Sequence, residues 1–183
     1  MAAYISFQPS DNFNSVLYSG NDSTNAITGV GFQPDFTWIK GRSNTGSSAI
    51  QDSVRGNDKS IRSNGTNTEY TNTFFDSFDS DGFTLSTDES DVNASSRTYA
   101  AWNWKMGTTS GLTGGTITPS GYSLNTTAGQ SIIAYTGTGV AATIPHGLGA
   151  VPAMLIVKAL NTGTDWGVYH QYSHATPEDY TMI

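Results

Sequence analysis

The 183-residue chain contains no cysteine. That excludes a disulfide framework, a thiolate zinc site and a cysteine nucleophile. It leaves the compartment open, because a protein assembled in a reducing cytosol also needs no cysteine. Charge is scarce as well: 8 Lys and Arg against 15 Asp and Glu, together 13% of the chain, roughly half the usual share. Eight scattered, outnumbered cations do not make a phosphate-neutralising patch, which excludes non-specific nucleic-acid binding, and no nucleic-acid partner is expected. No apolar run approaches the ~20 residues of a membrane span. Met1–Ser6 has neither the basic stretch nor the apolar core of a secretory signal. Glutamate is limited to Glu69, Glu89 and Glu178, all in loop-like contexts, which does not suit the paired carboxylates of sugar cleavage. No Gly-x-Ser-x-Gly elbow occurs. The expectation is a protein without enzymatic activity, cofactor or membrane insertion.

What is abundant is polar but uncharged. Gly contributes 20 residues, and Ser, Thr and Asn together 60, a composition suited to hydroxyl and amide hydrogen bonding rather than ion pairing. Aromatics nevertheless reach 11%, with 4 Trp, 9 Tyr and 8 Phe, too many for a disordered linker. They fall in short runs bounded by turn residues, the pattern of strands. These runs predict strands near Val16–Ser19, Phe36–Lys40, Ala49–Gln51, Gly82–Leu85, Thr98–Lys105, Ser131–Thr136, Ala153–Lys158 and Trp166–His170. Ser63-Asn64-Gly65, Ser80-Asp81-Gly82 and Pro119-Ser120-Gly121 predict chain reversals. No stretch sustains a helical period with helix-favouring residues. The expected fold class is all-β, an antiparallel two-sheet sandwich.

Period-two alternation sorts the side chains by face. In the Thr98–Lys105 run, Ala100, Trp102 and Trp104 oppose Tyr99, Ala101 and Asn103. In Phe36–Lys40, Phe36, Trp38 and Lys40 oppose Thr37 and Ile39. Large aromatics favour burial, so the tryptophan-bearing faces are expected to form the core.

The chain also repeats itself. Gly31–Lys40 aligns without gaps on Gly149–Lys158 at an offset of 118, and Ala49–Asp52 aligns on Gly167–His170. Tyr18-Ser19-Gly20 matches Tyr135-Thr136-Gly137 at an offset of 117. The reading divides the chain into an N-terminal arm (1–15), a first sandwich unit (16–105), a Gly/Thr/Ser linker (106–130) and the start of a second unit (131–183). At offset 118, Ile183 corresponds to Gly65, so a counterpart of Phe74–Lys105 is missing. A sandwich lacking those strands would expose edges. The expectation is therefore either a fragment of a longer protein or a second unit completed by a partner chain.

Chemical motifs are sparse. His170 and His174 stand four apart, but the residues around them do not favour the helix that would bring both rings to one metal, and no metal site is expected. His146 sits in the turn Pro145-His146-Gly147. Asp76, Asp79 and Asp81 precede Gly82 without EF-hand spacing, and read as a solvated hairpin tip. Tyr70 and Tyr122 lie in polar loops and are the expected exposed aromatics for stacking on a carbohydrate.

The run Ile27–Ser43 (ITGVGFQPDFTWIKGRS), with Asp52-Ser53-Val54-Arg55-Gly56, Ser77–Leu85 (SFDSDGFTL), Tyr99–Lys105 (YAAWNWK), Ala134–Gly139 (AYTGTG) and Pro145–Gly149 (PHGLG), resembles a family of structural proteins from tailed bacteriophages, many of them marine. The resemblance covers nearly the whole chain. It implies repeated domains with a concanavalin-like, jelly-roll β-sandwich in tail fibres or other appendages of the virion. On that basis the chain is expected to be a virion structural protein, the N-terminal part of a fibre that attaches to the particle and presents host-recognition domains. Its expected partners are tail adaptor or nozzle proteins, sister copies in a homo-oligomer such as a trimer, and a host-surface glycan. A capsid-surface decoration protein is the alternative, with capsid as the partner. In a fibre, the apolar residues Tyr4, Phe7 and Phe13 of the arm either anchor the chain to the virion or pack on their own domain.

Overall fold

The computed structural model describes residues 8–86 and 89–177. It holds thirteen strands: β1 (Phe13–Ser19), β2 (Asn25–Ile27), β3 (Phe36–Gly41), β4 (Ser48–Asp52), β5 (Gly56–Ile61), β6 (Tyr70–Thr71), β7 (Phe75–Asp79), β8 (Gly82–Leu85), β9 (Thr98–Trp104), β10 (Gly121–Asn125), β11 (Gln130–Ala134), β12 (Met154–Val157) and β13 (Gly167–His170). A 3-10 turn at Pro9–Asp11 stands ahead of β1. The protein is an all-β sandwich. One sheet has the order β1-β9-β3-β4-β5-β6, and a three-stranded sheet, β2-β8-β7, packs across it. All strand pairs are antiparallel.

The inner face of the large sheet is built in rows. Val16, Ala101, Ile39 and Ala49 lie opposite one another across β1, β9, β3 and β4, and Tyr18 lies opposite Tyr99. Phe83, Leu85, Phe75 and Ile27 close on them from the small sheet. Burial of each large apolar side chain stabilises by ~1.5–3 kcal/mol. Tyr18 stacks on Tyr99 at 5.2 Å and meets Phe83 edge-on at 6.2 Å, while its hydroxyl donates to the Val92 carbonyl at 2.7 Å. Burial, then the neighbouring Tyr99, holds that hydroxyl protonated well above the usual tyrosine range. At one end of the core the apolar rows give way to a polar one, Asn14–Asn103–Thr37–Gln51. It is tied laterally, with Thr37 Oγ1 donating to Asn103 Oδ1 at 3.2 Å and Gln51 Nε2 to Ser60 Oγ at 2.8 Å, while Gln51 Oε1 is buried with no partner among the described residues.

The tryptophans lie on the other side. Thr37, Ile39 and Gly41 are buried in β3, while Phe36, Trp38 and Lys40 are half-buried. In β9 it is Tyr99, Ala101 and Asn103 that point inward, with Trp102 and Trp104 half-buried on the outside. This corrects the expected core face. The small sheet supplies aromatic volume (Phe75, Phe83 and the flanking Phe78), and β3 and β9 meet it with Ile39, Tyr99 and Ala101 rather than with indoles.

Turn chemistry fixes the hairpins. Asp52 Oδ1 accepts from the Val54 and Arg55 backbone N–H groups at 3.1 and 2.8 Å, closing the β4–β5 turn. Arg55 folds back over it: Nε meets Asp52 Oδ2 at 2.5 Å, a second nitrogen meets Glu69 Oε2 at 3.0 Å, and a third donates to the Ile50 carbonyl at 3.2 Å. In the β7–β8 turn, Gly82 adopts φ 149°, where a Cβ would stand 2.0 Å from the Ile27 carbonyl oxygen. Beside it, the exposed Asp81 carboxylate accepts from the N–H groups of Gly29 and Gly31 at 3.0 and 2.6 Å. These bonds hold its pKa below the ordinary value.

The stretch expected as a linker carries β10, with Ser123 fully buried and Leu124 nearly so. β10 pairs with β11, and β12 with β13. The second hairpin copies the first. Met154↔His170, Leu155↔Tyr169, Ile156↔Val168 and Val157↔Gly167 are the β3–β4 pairs Phe36↔Asp52, Thr37↔Gln51, Trp38↔Ile50 and Ile39↔Ala49 with 118 added to each number. Local bonds copy too. The Ser53 N–H donates to the Asp35 carbonyl at 2.8 Å, and the Gln171 N–H to the Ala153 carbonyl at 2.9 Å. Lys40 Nζ donates to the Gly41 carbonyl at 3.2 Å, and Lys158 Nζ to the Ala159 carbonyl at 2.9 Å. Gly29 and Gly31 have positive φ, as do Gly147 and Gly149 at the same offset.

Candidate functional site

The outer face of the large sheet gathers the aromatics that the core does not use. Register places Phe13, Trp104 and Phe36 in one row and Ser15, Trp102 and Trp38 in the next. Trp104 lies 4.8 Å from Phe13 and 5.2 Å from Phe36 between ring centroids, and Trp38 lies 6.0 Å from Trp102 at an interplanar angle of 59°. Leu17, 65% exposed, extends the patch along β1 next to Ala100. Lys40 borders it, its ammonium donating to the Gly46 carbonyl at 2.9 Å. The strands demand this display: alternation that sends Ile39 and Ala101 inward must send Trp38 and Trp102 outward. The result is a ridge of indole faces on a rigid sheet. Aromatic rings that combine an apolar body with a polar tip suit ligands of the same mixed character, sugar rings among them.

A second constellation sits at the end of β3. The Asp35 carboxylate, 8% exposed as a residue, accepts from Ser53 Oγ at 2.7 Å, Ser123 Oγ at 3.0 Å and the Met106 N–H at 2.9 Å. Ser123 Oγ itself accepts from the Gly107 N–H at 2.9 Å. Asp35 thus joins the first sandwich to β10. Asn125 adds a bond from its side-chain amide to Asn12 Oδ1 at 2.7 Å.

The sequence model of a family described as "Domain of unknown function (DUF7483)" matches residues 8–183. The chain belongs to the DUF7483 family. Searches of curated proteins and of solved structures return no match. The match runs unbroken from the 3-10 turn through β13, so the DUF7483 domain includes both the first sandwich and the copied hairpin.

The residues singled out from the sequence are dispersed over this DUF7483 fold. Phe13 opens β1 and packs on Trp104; Tyr4 and Phe7 lie outside the described residues. Tyr70 and Tyr122, expected in open loops, are strand residues and half-buried. The Arg62 guanidinium covers the Tyr70 ring at 5.3 Å, and Tyr122 Oη accepts from the Leu112 N–H at 2.9 Å. His170 ends β13, where its Nδ1 accepts from the Tyr172 N–H at 3.2 Å. His174 accepts from the Thr176 N–H at 3.2 Å. Among the described residues no cluster of three His, Cys, Asp or Glu side chains is arranged around a metal position. The Asp79 carboxylate is held by Ser77 Oγ at 2.7 Å and Thr84 Oγ1 at 2.6 Å, apart from Asp81 on its glycine amides. His146 lines a shallow open groove of about 620 Å³ between the Thr113–Gly115 and Ile144–Pro152 segments. Asp35 carries no signal in the sequence, because it directly follows the Gly-x-x-Pro motif and the repeat has Ala153 at that position.

Proposed function

We propose that this chain is a structural module of a bacteriophage virion, the part of a tail fibre or similar appendage that carries outer domains toward the host surface. The observation that carries the reading is the translated repeat: a second hairpin in the register of β3–β4, tied to the first unit by the Glu69 N–H on the Leu160 carbonyl at 2.8 Å and by Trp166 Nε1 on the Gly65 carbonyl at 3.1 Å. Serial β units with short, hydrogen-bonded connections make an extended scaffold from one kind of part. The motifs shared with phage appendage proteins support the same conclusion, as does a surface rich in hydroxyl and amide groups and poor in charge. The outer Trp38–Trp102 face is the surface that a host glycan or a sister copy in a homo-oligomer would meet.

The experiment is immunogold labelling of purified phage particles with antibodies raised against the recombinant chain. Labels along the tail or its fibres are expected. Labels distributed over the head would replace the fibre with a capsid decoration protein. Unlabelled particles that nevertheless label with antibody to a known tail component would sink the virion assignment.

A further inference from the structure

Of the asparagines in the chain, only Asn64 precedes a glycine. The pair sits in the turn that follows β5, and neither the core nor the outer tryptophan face uses it. Asn64 is exposed to water. Its side-chain oxygen reaches back to the start of β4, where Oδ1 accepts from the Ser48 N–H at 3.1 Å and from Ser48 Oγ at 3.2 Å. Ser48 itself is 2% exposed. The nitrogen next along the chain is in the opposite condition, because among the described residues no acceptor meets the Gly65 N–H. Asn14, Asn25, Asn57 and Asn103 instead lie within β1, β2, β5 and β9, where the main chain is held extended.

These are the parts of an intramolecular acyl transfer. An unbonded main-chain N–H beside a side-chain amide can lose its proton and attack the amide carbon, and glycine leaves that nitrogen unhindered. The attack places negative charge on Oδ1, the atom that the two Ser48 donors already address.

We infer that Asn64 is a deamidation site, reacting through a cyclic imide with Gly65, and that the product acts on the seam between the first unit and the second hairpin. The Gly65 nitrogen yields its proton to solvent and bonds to Asn64 Cγ. The Cγ–Nδ2 bond breaks, and the side-chain nitrogen takes up a proton and leaves as ammonia. Water then opens the ring at one of its two carbonyls. Opening at Cγ gives aspartate in an intact main chain. Opening at the main-chain carbonyl gives isoaspartate, with the chain routed through Cγ. One water is consumed and one ammonia released, and nothing is oxidised or reduced.

The seam begins at the reacting pair. The Gly65 carbonyl accepts from Trp166 Nε1 at 3.1 Å, the Thr66 carbonyl from Lys158 Nζ at 3.4 Å, and the Glu69 N–H donates to the Leu160 carbonyl at 2.8 Å. Isoaspartate adds a methylene to the main chain immediately before Gly65 and so displaces the acceptor of Trp166. Aspartate leaves the main chain where it is. Slow hydrolysis at one turn thus loosens the hold of the first unit on the second hairpin. The inference is independent of the virion reading, and its failure would leave that reading standing.

The test incubates the full folded chain in mildly alkaline buffer beside a synthetic Ser60–Thr71 peptide, and follows both by digestion and mass spectrometry. The mass gain of an amide-to-acid change is expected at Asn64 before any other asparagine, at a rate within about tenfold of the peptide's. Gly65→Ala should slow the change about tenfold or more. The fold tolerates this variant, since the added Cβ would meet only the side chain of Asn67, whose oxygen stands 2.8 Å away at the end of an exposed, flexible chain. Asn64→Gln should stop it. The isoaspartyl form, isolated by chromatography, should exchange the Glu69 amide hydrogen about tenfold faster than the unconverted chain, while Asn64→Asp exchanges it as the wild type does. Conversion first at another asparagine, a folded-chain rate below that tenfold range, or Gly65→Ala converting as fast as the wild type would overturn the site. Unchanged exchange at Glu69 in the isoaspartyl form would overturn its action on the seam.

Discussion

Ser123 Oγ donates a 3.0 Å hydrogen bond to Asp35 Oδ1, across 88 residues of sequence and within a site closed to solvent. One carboxylate there gathers two hydroxyls and a backbone N–H. Removing it as Asp35→Ala leaves three donors without their acceptor, and should cost roughly 2–4 kcal/mol in urea unfolding, against about 1 kcal/mol for Ser123→Ala. The two losses should be non-additive in a double-mutant cycle. Hydrogen exchange in β10 and β11 should rise in both variants. Additive losses with β10 unaffected would mean that the bond does not couple the two parts.

The Arg55 guanidinium is 8% exposed and bridges Asp52, 5% exposed, to Glu69, 22% exposed. Arg55→Met leaves two carboxylates without their cation and should destabilise by about 3–5 kcal/mol. Glu69→Gln keeps the closer partner and a hydrogen-bond acceptor, and should cost about 1 kcal/mol or less. Chemical denaturation of the two variants checks the order. Equal losses would show that the outer carboxylate matters as much as the turn.

Asp81 predicts an acid-side effect. Its folded pKa lies below the ordinary value of 3.8, lowered by the Gly31 and Gly29 amides. Its contribution is therefore fully present above that value and disappears as the pH falls through the folded pKa. Between about pH 5 and pH 2 the unfolding midpoint of the wild type should fall more steeply than that of Asp81→Asn, and the two curves should converge at the acid end. Parallel curves would remove the carboxylate from the loop's stability.

The two faces of the large sheet should answer differently to truncation. Ile39→Ala opens a cavity in the core and should cost roughly 2–4 kcal/mol. Trp102→Ala removes a half-buried ring from the outer face and should cost about 1–2 kcal/mol. If the ridge binds glycans, Trp38→Ala and Trp102→Ala should each weaken adsorption of the labelled protein to host cells without unfolding it. A Trp102→Ala loss as large as that of Ile39→Ala would return the ring to a core role.

Much of the architecture was legible because hydrophobic and aromatic runs bounded by turn residues mark strands. Gly82–Leu85 and Thr98–Trp104 are found where alternation put them, the latter one residue shorter than expected. The strands that escaped notice broke the period-two rule. In β7 a bulge between Phe75 and Ser77 lets Phe75 and Phe78, three apart, both pack on the core, with Phe75 also stacked on Phe83 at 5.4 Å. β5, Gly-Asn-Asp-Lys-Ser-Ile, has an apolar residue only at its last position, and β10 hides in a Gly/Thr/Ser stretch. Alternation separates two faces but does not say which one is inside. That depends on the volume the facing sheet supplies, which is why the tryptophan-bearing faces, expected inside, lie outside. Asp35 and Ser123 carry no local signature at all, since only the folded chain brings them together.

The acid at the joint is not itself repeated: where the first unit has Asp35, the second has Ala153. A methyl group cannot gather two hydroxyls and an amide. The copied turn therefore cannot hold a neighbouring strand as the first holds β10, and the exchange of one side chain makes a joint of one copy and a plain turn of the other.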